Sequence, residues 1–147
     1  VLSIREVREI SGLTQAELAG RAGTSRSALA AIESGTRPAS DAMVERLLRA
    51  SGVRPSAVLA ARRDALLCVL ERHGVTRVRV AGSVARGTDD LSSDVDLVIH
   101  PPEGMGGLGL ATLGDEVEAL LGLAVDLISD RSTGPVVDAI LASSSPL

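Results

Sequence analysis

VRVAGSVARGTDDLSSDVDLVIH, residues Val78 to His100, decides how the second half of this chain folds. It reads as a strand, a tight Gly-Ser turn, a polar loop and a second strand. Val78 and Val80 alternate with Arg77 and Arg79, the period of a half-buried strand. In Asp94-Val95-Asp96-Leu97 the same period sets both carboxylates on one face, with Val95, Leu97 and Ile99 on the other. Two carboxylates side by side repel each other. A divalent cation would remove that repulsion, and hard oxygen ligands suit magnesium. Gly82 lets a phosphate come close to the backbone. A short helix starting near Ser83 would add free N–H groups and a positive dipole end, with Arg86 one turn further on. This is the equipment for handling a nucleoside triphosphate.

Ala124-Val125-Asp126-Leu127-Ile128 reads as another short buried strand with one carboxylate in it. A charge there is costly unless it is paired or ligates a metal. Set beside Asp94 and Asp96, Asp126 would share the metal site and accept a proton from an incoming hydroxyl. The alternative is a structural ion pair with Arg77 or Arg79.

Gly82-Ser83, Asp94-x-Asp96 and Asp126, in that order and with Arg86-Gly87 and Ser93 beside them, resemble the minimal nucleotidyltransferases of the polymerase-beta superfamily. The resemblance runs over residues 62 to 147. It implies catalytic and metal-binding roles for Asp94, Asp96 and Asp126, and nucleotide binding by Gly82, Ser83 and Arg86. It also implies ATP as donor and two magnesium ions. Stand-alone members of that family act as antitoxins that adenylylate a HEPN-type toxin, so a protein acceptor of that type is the expected partner. One small catalytic lobe would leave little chain to enclose a small acceptor, which points the same way.

The first part of the chain has a different rhythm. Ile4, Val7 and Ile10 mark an amphipathic helix, and Thr14-Gln15-Ala16-Glu17 is a capping box opening a second. After Gly23, Ser25 can cap a third helix with Ala28, Leu29 and Ile32 inward, and Gly35 sits where a left-handed cap belongs. Ser40 opens a fourth, ending near Gly52. Two short helices joined by a Gly turn form the helix-turn-helix pattern. The wording TQAELAGRAGTSRSALAAIESGTRPAS resembles the Cro/repressor-type (XRE) family. That resemblance implies five short helices and binding to a double-stranded DNA operator. Gln15 would hold a phosphate, while Ser25, Arg26, Ser27 and Ala31 would face the major groove. Arg26 is the candidate for a bidentate contact to guanine.

The expected architecture is an all-α five-helix DNA-binding domain, residues 1–60, followed by a small α/β nucleotidyltransferase domain with a mixed sheet, residues 61–147. Helical pattern continues from Ser56 to His73, so a shared or abutting helix is expected at the join. The second domain should hold about three strands, with Ser143-Ser144-Ser145 as a polar tail and Cys68 in the core. His73 reads as a helix C-terminal residue, His100 as a strand end, and Asp89 and Asp90 as loop acids.

Charge follows the same division. Residues 1–60 carry eight Arg against six acids, and the remainder seven Arg against thirteen. Only the first part tolerates a polyanion, and a net +2 there calls for a homodimer on paired half-sites, while the resemblance to antitoxins implies a hetero-oligomer as the other assembly. There is no Phe, Tyr, Trp, Lys or Asn, so no aromatic ring can stack on a nucleobase. A lone cysteine excludes an intrachain disulfide and fits a reducing cytoplasm. No membrane span is expected. Two function classes remain open beside the enzyme: a regulator whose transferase-like domain only senses nucleotide or binds a partner, and a head that binds protein instead of DNA.

Overall fold

The computed structural model describes residues 2–147, which divide into two compact units, Leu2–Ala61 and Arg62–Leu147. In the first unit, helices begin where a hydroxyl can accept from the first turn. α1 (Ile4–Ile10) starts from Ser3 and α2 (Gln15–Arg21) from Thr14, each in a reciprocal capping box, with Glu6 and Glu17 respectively. α3 (Arg26–Glu33) starts from Ser25, whose Oγ accepts from the Ala28 N–H at 3.1 Å. α4 (Asp41–Ser51) runs from a Ser40 cap to Gly52, where φ is 62°, and α5 (Pro55–Ala61) follows. Leu18, Ala19, Ala22, Leu29 and Leu47 form the core, with Ile4, Leu13, Ile32 and Met43 packed against it.

One polar knot ties α1 to α3. Arg8 Nε donates to Glu33 Oε1 at 2.7 Å and Nη2 to Oε2 at 3.1 Å, while Gln15 Nε2 donates to Oε2 at 3.0 Å. The Glu33 side chain is wholly buried and that of Arg8 is 13% exposed. Burial pushes the Glu33 carboxyl up. The hydrogen bonds from Arg8 and Gln15, with the charges of Arg8 and Arg5, outweigh burial and hold it below the usual carboxylate range. Arg8→Ala would strand a buried carboxylate, at an expected cost of about 3 kcal/mol in urea unfolding followed by circular dichroism. A carboxyl with a depressed pKa contributes stability above its unfolded pKa of about 4.3 and loses it as pH falls through the folded value. The wild type should therefore lose this increment on acidification, and Arg8→Ala should not. An unchanged urea midpoint at neutral pH would sink the assignment.

The second unit opens with α6 (Arg63–Arg72), then β1 (Val78–Val80), α7 (Gly82–Arg86) and β2 (Val95–Ile99). α8 (Gly107–Leu121), β3 (Val125–Ser129), α9 (Pro135–Ser143) and β4 (Ser145–Pro146) complete it. Among the described residues these strands form one four-stranded sheet, ordered β3-β2-β1-β4. β2 and β3 run parallel, and β1 is antiparallel to both β2 and β4, so the sheet is mixed. Val95, Leu97 and Ile99 are fully buried, as are Leu66, Leu113, Val117 and Leu121 on the helices, and α8 packs on β3 and on α6.

Four expectations need correction. The helical stretch from Ser56 to His73 is broken at Arg62, where φ is −110° and ψ 12°. Apolar periodicity runs through the break because each side buries its own residues: Val58 and Leu59 before it, Leu66 and Leu70 after it. Cys68 is exposed rather than in the core. The polar tail is structural. Ser144 is buried, accepts from Arg79 Nε at 2.7 Å through its Oγ and from Nη2 at 2.6 Å through its carbonyl, and leads into the fourth strand. Asp89 lies in a loop as expected, but it is buried there, 3% exposed.

Candidate active site

The site is built where β1 hands over to α7. The Ala81 N–H donates to the Asp96 carbonyl at 2.9 Å, so the chain leaves the sheet beside the acid-bearing strand. Gly82 opens α7 with φ 64°. A Cβ at that position would collide with Asp96 Oδ2. Glycine is needed there both for its backbone angle and for the space it leaves.

On the parallel pair, Asp96 lies directly beside Asp126 in register. Neighbouring strands are about 4.8 Å apart, and the two-residue period puts both carboxylates on the same face. Asp94 precedes β2 by one residue and shares that side. Asp96 is half-buried, while Asp94 and Asp126 are exposed. Burial, then the charges of Asp126 and Asp94, raise the Asp96 carboxyl above its usual range, and Arg86 pulls the other way. Asp94, Asp126 and Arg86 therefore all act on Asp96. Ser83 is half-buried at the second position of α7.

Three mutually repelling carboxylates are the donor chemistry of a hard divalent cation. Among the described residues no group of three or more His, Cys, Asp or Glu already stands close enough to hold an ion. Closing such a site would take rotation of the two exposed side chains, Asp94 and Asp126. The ion pairs weighed for Asp126 involve arginines engaged elsewhere: Arg77 Nη2 lies 3.5 Å from Asp130 Oδ2, and Arg79 binds Ser144.

Gly82, Arg86 and Asp96 line a cleft of about 470 Å³ whose other wall is α9, through Pro135, Val136 and Ile140. Sequence reasoning gave α9 no role. Its one signal is composition: PVVDAILAS is apolar nearly all round, yet the helix buries no residue fully.

In the first unit, Ser25, Arg26 and Ser27 are exposed at the start of α3. Ala31 is half-buried, and its carbonyl accepts from the Ser34 and Thr36 hydroxyls, each at 3.1 Å. Gln15 is half-buried, and one N–H of its amide donates to the buried Glu33 carboxylate at 3.0 Å, which leaves the second N–H of the same group for another acceptor.

Two family models match the chain: a helix-turn-helix over residues 4–58 and a nucleotidyltransferase domain over residues 62–141. The chain belongs to the nucleotidyltransferase domain family, with a helix-turn-helix domain preceding the transferase. A Methanocaldococcus jannaschii relative named for protein adenylyltransferase activity is 36% identical over 72 residues, 49% of this chain and 77% of the relative. Protein adenylyltransferase MntA of Thermococcus cleftensis is 42% identical over 62 residues, 42% of this chain and 63% of that protein. A solved minimal nucleotidyltransferase is 43% identical with a TM-score of 0.55, covering 63% of this chain and 95% of the other. A toxin–antitoxin structure with AMP-PNP shares the fold at 19% identity and a TM-score of 0.51, over 56% of this chain and 69% of that one. Among the described residues no helix is long and apolar enough to cross a membrane.

Proposed function

We propose that this chain transfers AMP from ATP to a hydroxyl of a partner protein, the bond from the α-phosphorus to pyrophosphate breaking as the new phosphoester forms, and that its helix-turn-helix binds the operator of its own operon in a reducing cytoplasm. The observation that carries the first half is the pairing of Asp96 with Asp126 on one sheet face, beside a glycine whose missing side chain leaves room for the Asp96 carboxylate. Asp94, Asp96 and Asp126 would hold magnesium, expected as two ions. When bound, the metal would neutralise charge on the triphosphate and on the oxygens entering and leaving. Gly82, Ser83 and Arg86 seat the phosphates. Asp126, exposed at the rim, accepts the proton of the incoming hydroxyl. The acceptor in this reading is a HEPN-type toxin.

The test is incubation with α-phosphate-labelled ATP, magnesium and cell lysate. Label on a protein band, lost in Asp96→Asn, supports transfer. Nucleotide binding without label on any protein supports a nucleotide-sensing regulator instead.

The DNA half rests on Arg26, exposed at the N-terminus of the second helix of the pair. Arg26→Ala is expected to cost about 1–3 kcal/mol on the specific operator in a mobility-shift titration. With so little net positive charge, two copies on paired half-sites are expected. Affinity that does not fall with added salt would tell against DNA and for a protein-binding head.

A further inference from the structure

The sheet face that carries Asp96 has a second end. Asp96, Val98 and His100 alternate onto that face, and the register sets Arg79 beside both Val98 and Pro146. The His100 N–H donates to the Arg77 carbonyl at 3.0 Å, which brings Arg77 alongside. Here lies a cleft of about 520 Å³, larger than the one at the acids, bordered by Arg77, Arg79, His100 and Asp130 over a floor that includes Val98 and Leu141. Adjacent α9 residues, Ile140 and Leu141, line one cleft each.

The second cleft is cationic in a unit that is otherwise acidic. Residues 61–147 hold seven arginines against thirteen acids, yet Arg77 and Arg79 line this cleft against Asp130 alone, with Arg131 beside it against His100. Asp130 Oδ1 lies 2.8 Å from His100 Nδ1, and Arg131 Nη2 lies 3.5 Å from His100 Nε2, so the ring is held from both sides. Arg79 is fixed by Ser144. The Arg77 side chain, with Nη2 3.5 Å from Asp130 Oδ2 and 3.2 Å from His100 Nδ1, is still 71% exposed.

We propose that this cleft docks the acceptor protein through an acidic segment, and that it does so to deliver the receiving hydroxyl to Asp126. The inference rests on the transfer reading above. The acid excess of the unit disfavours an acidic segment elsewhere, and the arginines of this cleft favour it here. The apolar floor accommodates the side chain next to the carboxylate.

The probe is a fluorescein-labelled peptide carrying a pair of glutamates, compared with the same peptide carrying Gln or Lys pairs. Anisotropy at low ionic strength should show the Glu peptide binding the full-length protein at least about tenfold more tightly than the Gln peptide, a 1.4 kcal/mol difference. In Arg77→Glu/Arg131→Glu the order should invert, with the Lys peptide preferred, a result that misfolding cannot produce. Asp126→Asn, inactive in transfer, should bind the Glu peptide like wild type, so docking is read independently of chemistry. Equal affinity for Glu and Gln peptides overturns the proposal. So does retained Glu preference in the double charge reversal, or displacement of the peptide by millimolar inorganic phosphate, which would make this a small-anion site. None of these outcomes bears on label transfer in lysate, so the two readings fail separately.

Discussion

Asp96→Asn is expected to abolish labelling of protein by α-phosphate-labelled ATP while raising the melting temperature of the metal-free protein. Both effects come from one carboxylate. Burial and the neighbouring charges of Asp126 and Asp94 raise its pKa. An acid whose folded pKa is raised contributes stability below its unfolded pKa and loses it as pH rises through the folded value. At neutral pH the ionised Asp96 therefore weakens the metal-free fold, and the amide, which keeps the shape without the charge, relieves the repulsion. The loss of activity has the same origin with the opposite sign. In the proposed reaction, losing Asp96 would remove a ligand from the cation on the triphosphate, and forfeiting several kcal/mol of charge stabilisation corresponds to about three orders of magnitude in rate. Magnesium should raise the melting temperature of the wild type and leave the variant nearly unmoved. A variant that melts lower than wild type in chelator, or that still labels protein, would overturn this account of the site.

Gly82→Ala should be nearly as damaging, though it changes no charge. The residue sits at φ 64°, a conformation that costs an L-residue about 1–2 kcal/mol, and its Cβ would collide with the Asp96 carboxylate. Either the carboxylate turns away or α7 shifts, and both displace the phosphate seat from the acids. A misplacement of about 1 Å is enough to lower turnover roughly 100-fold. The measurement is single-turnover transfer alongside thermal unfolding. Unaltered transfer in a folded Gly82→Ala protein would mean that this turn does not seat the phosphates.

The elements that position the acids were legible because their signals are local. Asp94-x-Asp96 between apolar neighbours, the Gly82 turn and the capping box of Thr14 and Glu17 each reveal themselves within a few residues. What stayed hidden depends on partners far away in the chain. Ser145–Pro146 has no strand alternation and becomes β4 only because β1 offers an edge and Arg79 anchors Ser144. The bond from the Gln15 amide to Glu33, eighteen residues on, has no local signal either. Nor does periodicity distinguish one long helix from two short ones when both sides of Arg62 bury apolar faces. The role of α9 was invisible for a related reason: an apolar helix announces burial, and this one instead walls an open cleft.

The strand order also gives the two paired acids unequal footing. Asp96 is on β2, hydrogen-bonded on both flanks, whereas Asp126 is on β3 at the margin of the sheet. Marginal strands open more readily, so amide exchange should be faster along Val125–Ser129 than along Val95–Ile99. In the proposed reaction one acid would thus stand on a fixed post and the other at the open margin, the side from which an incoming hydroxyl would enter.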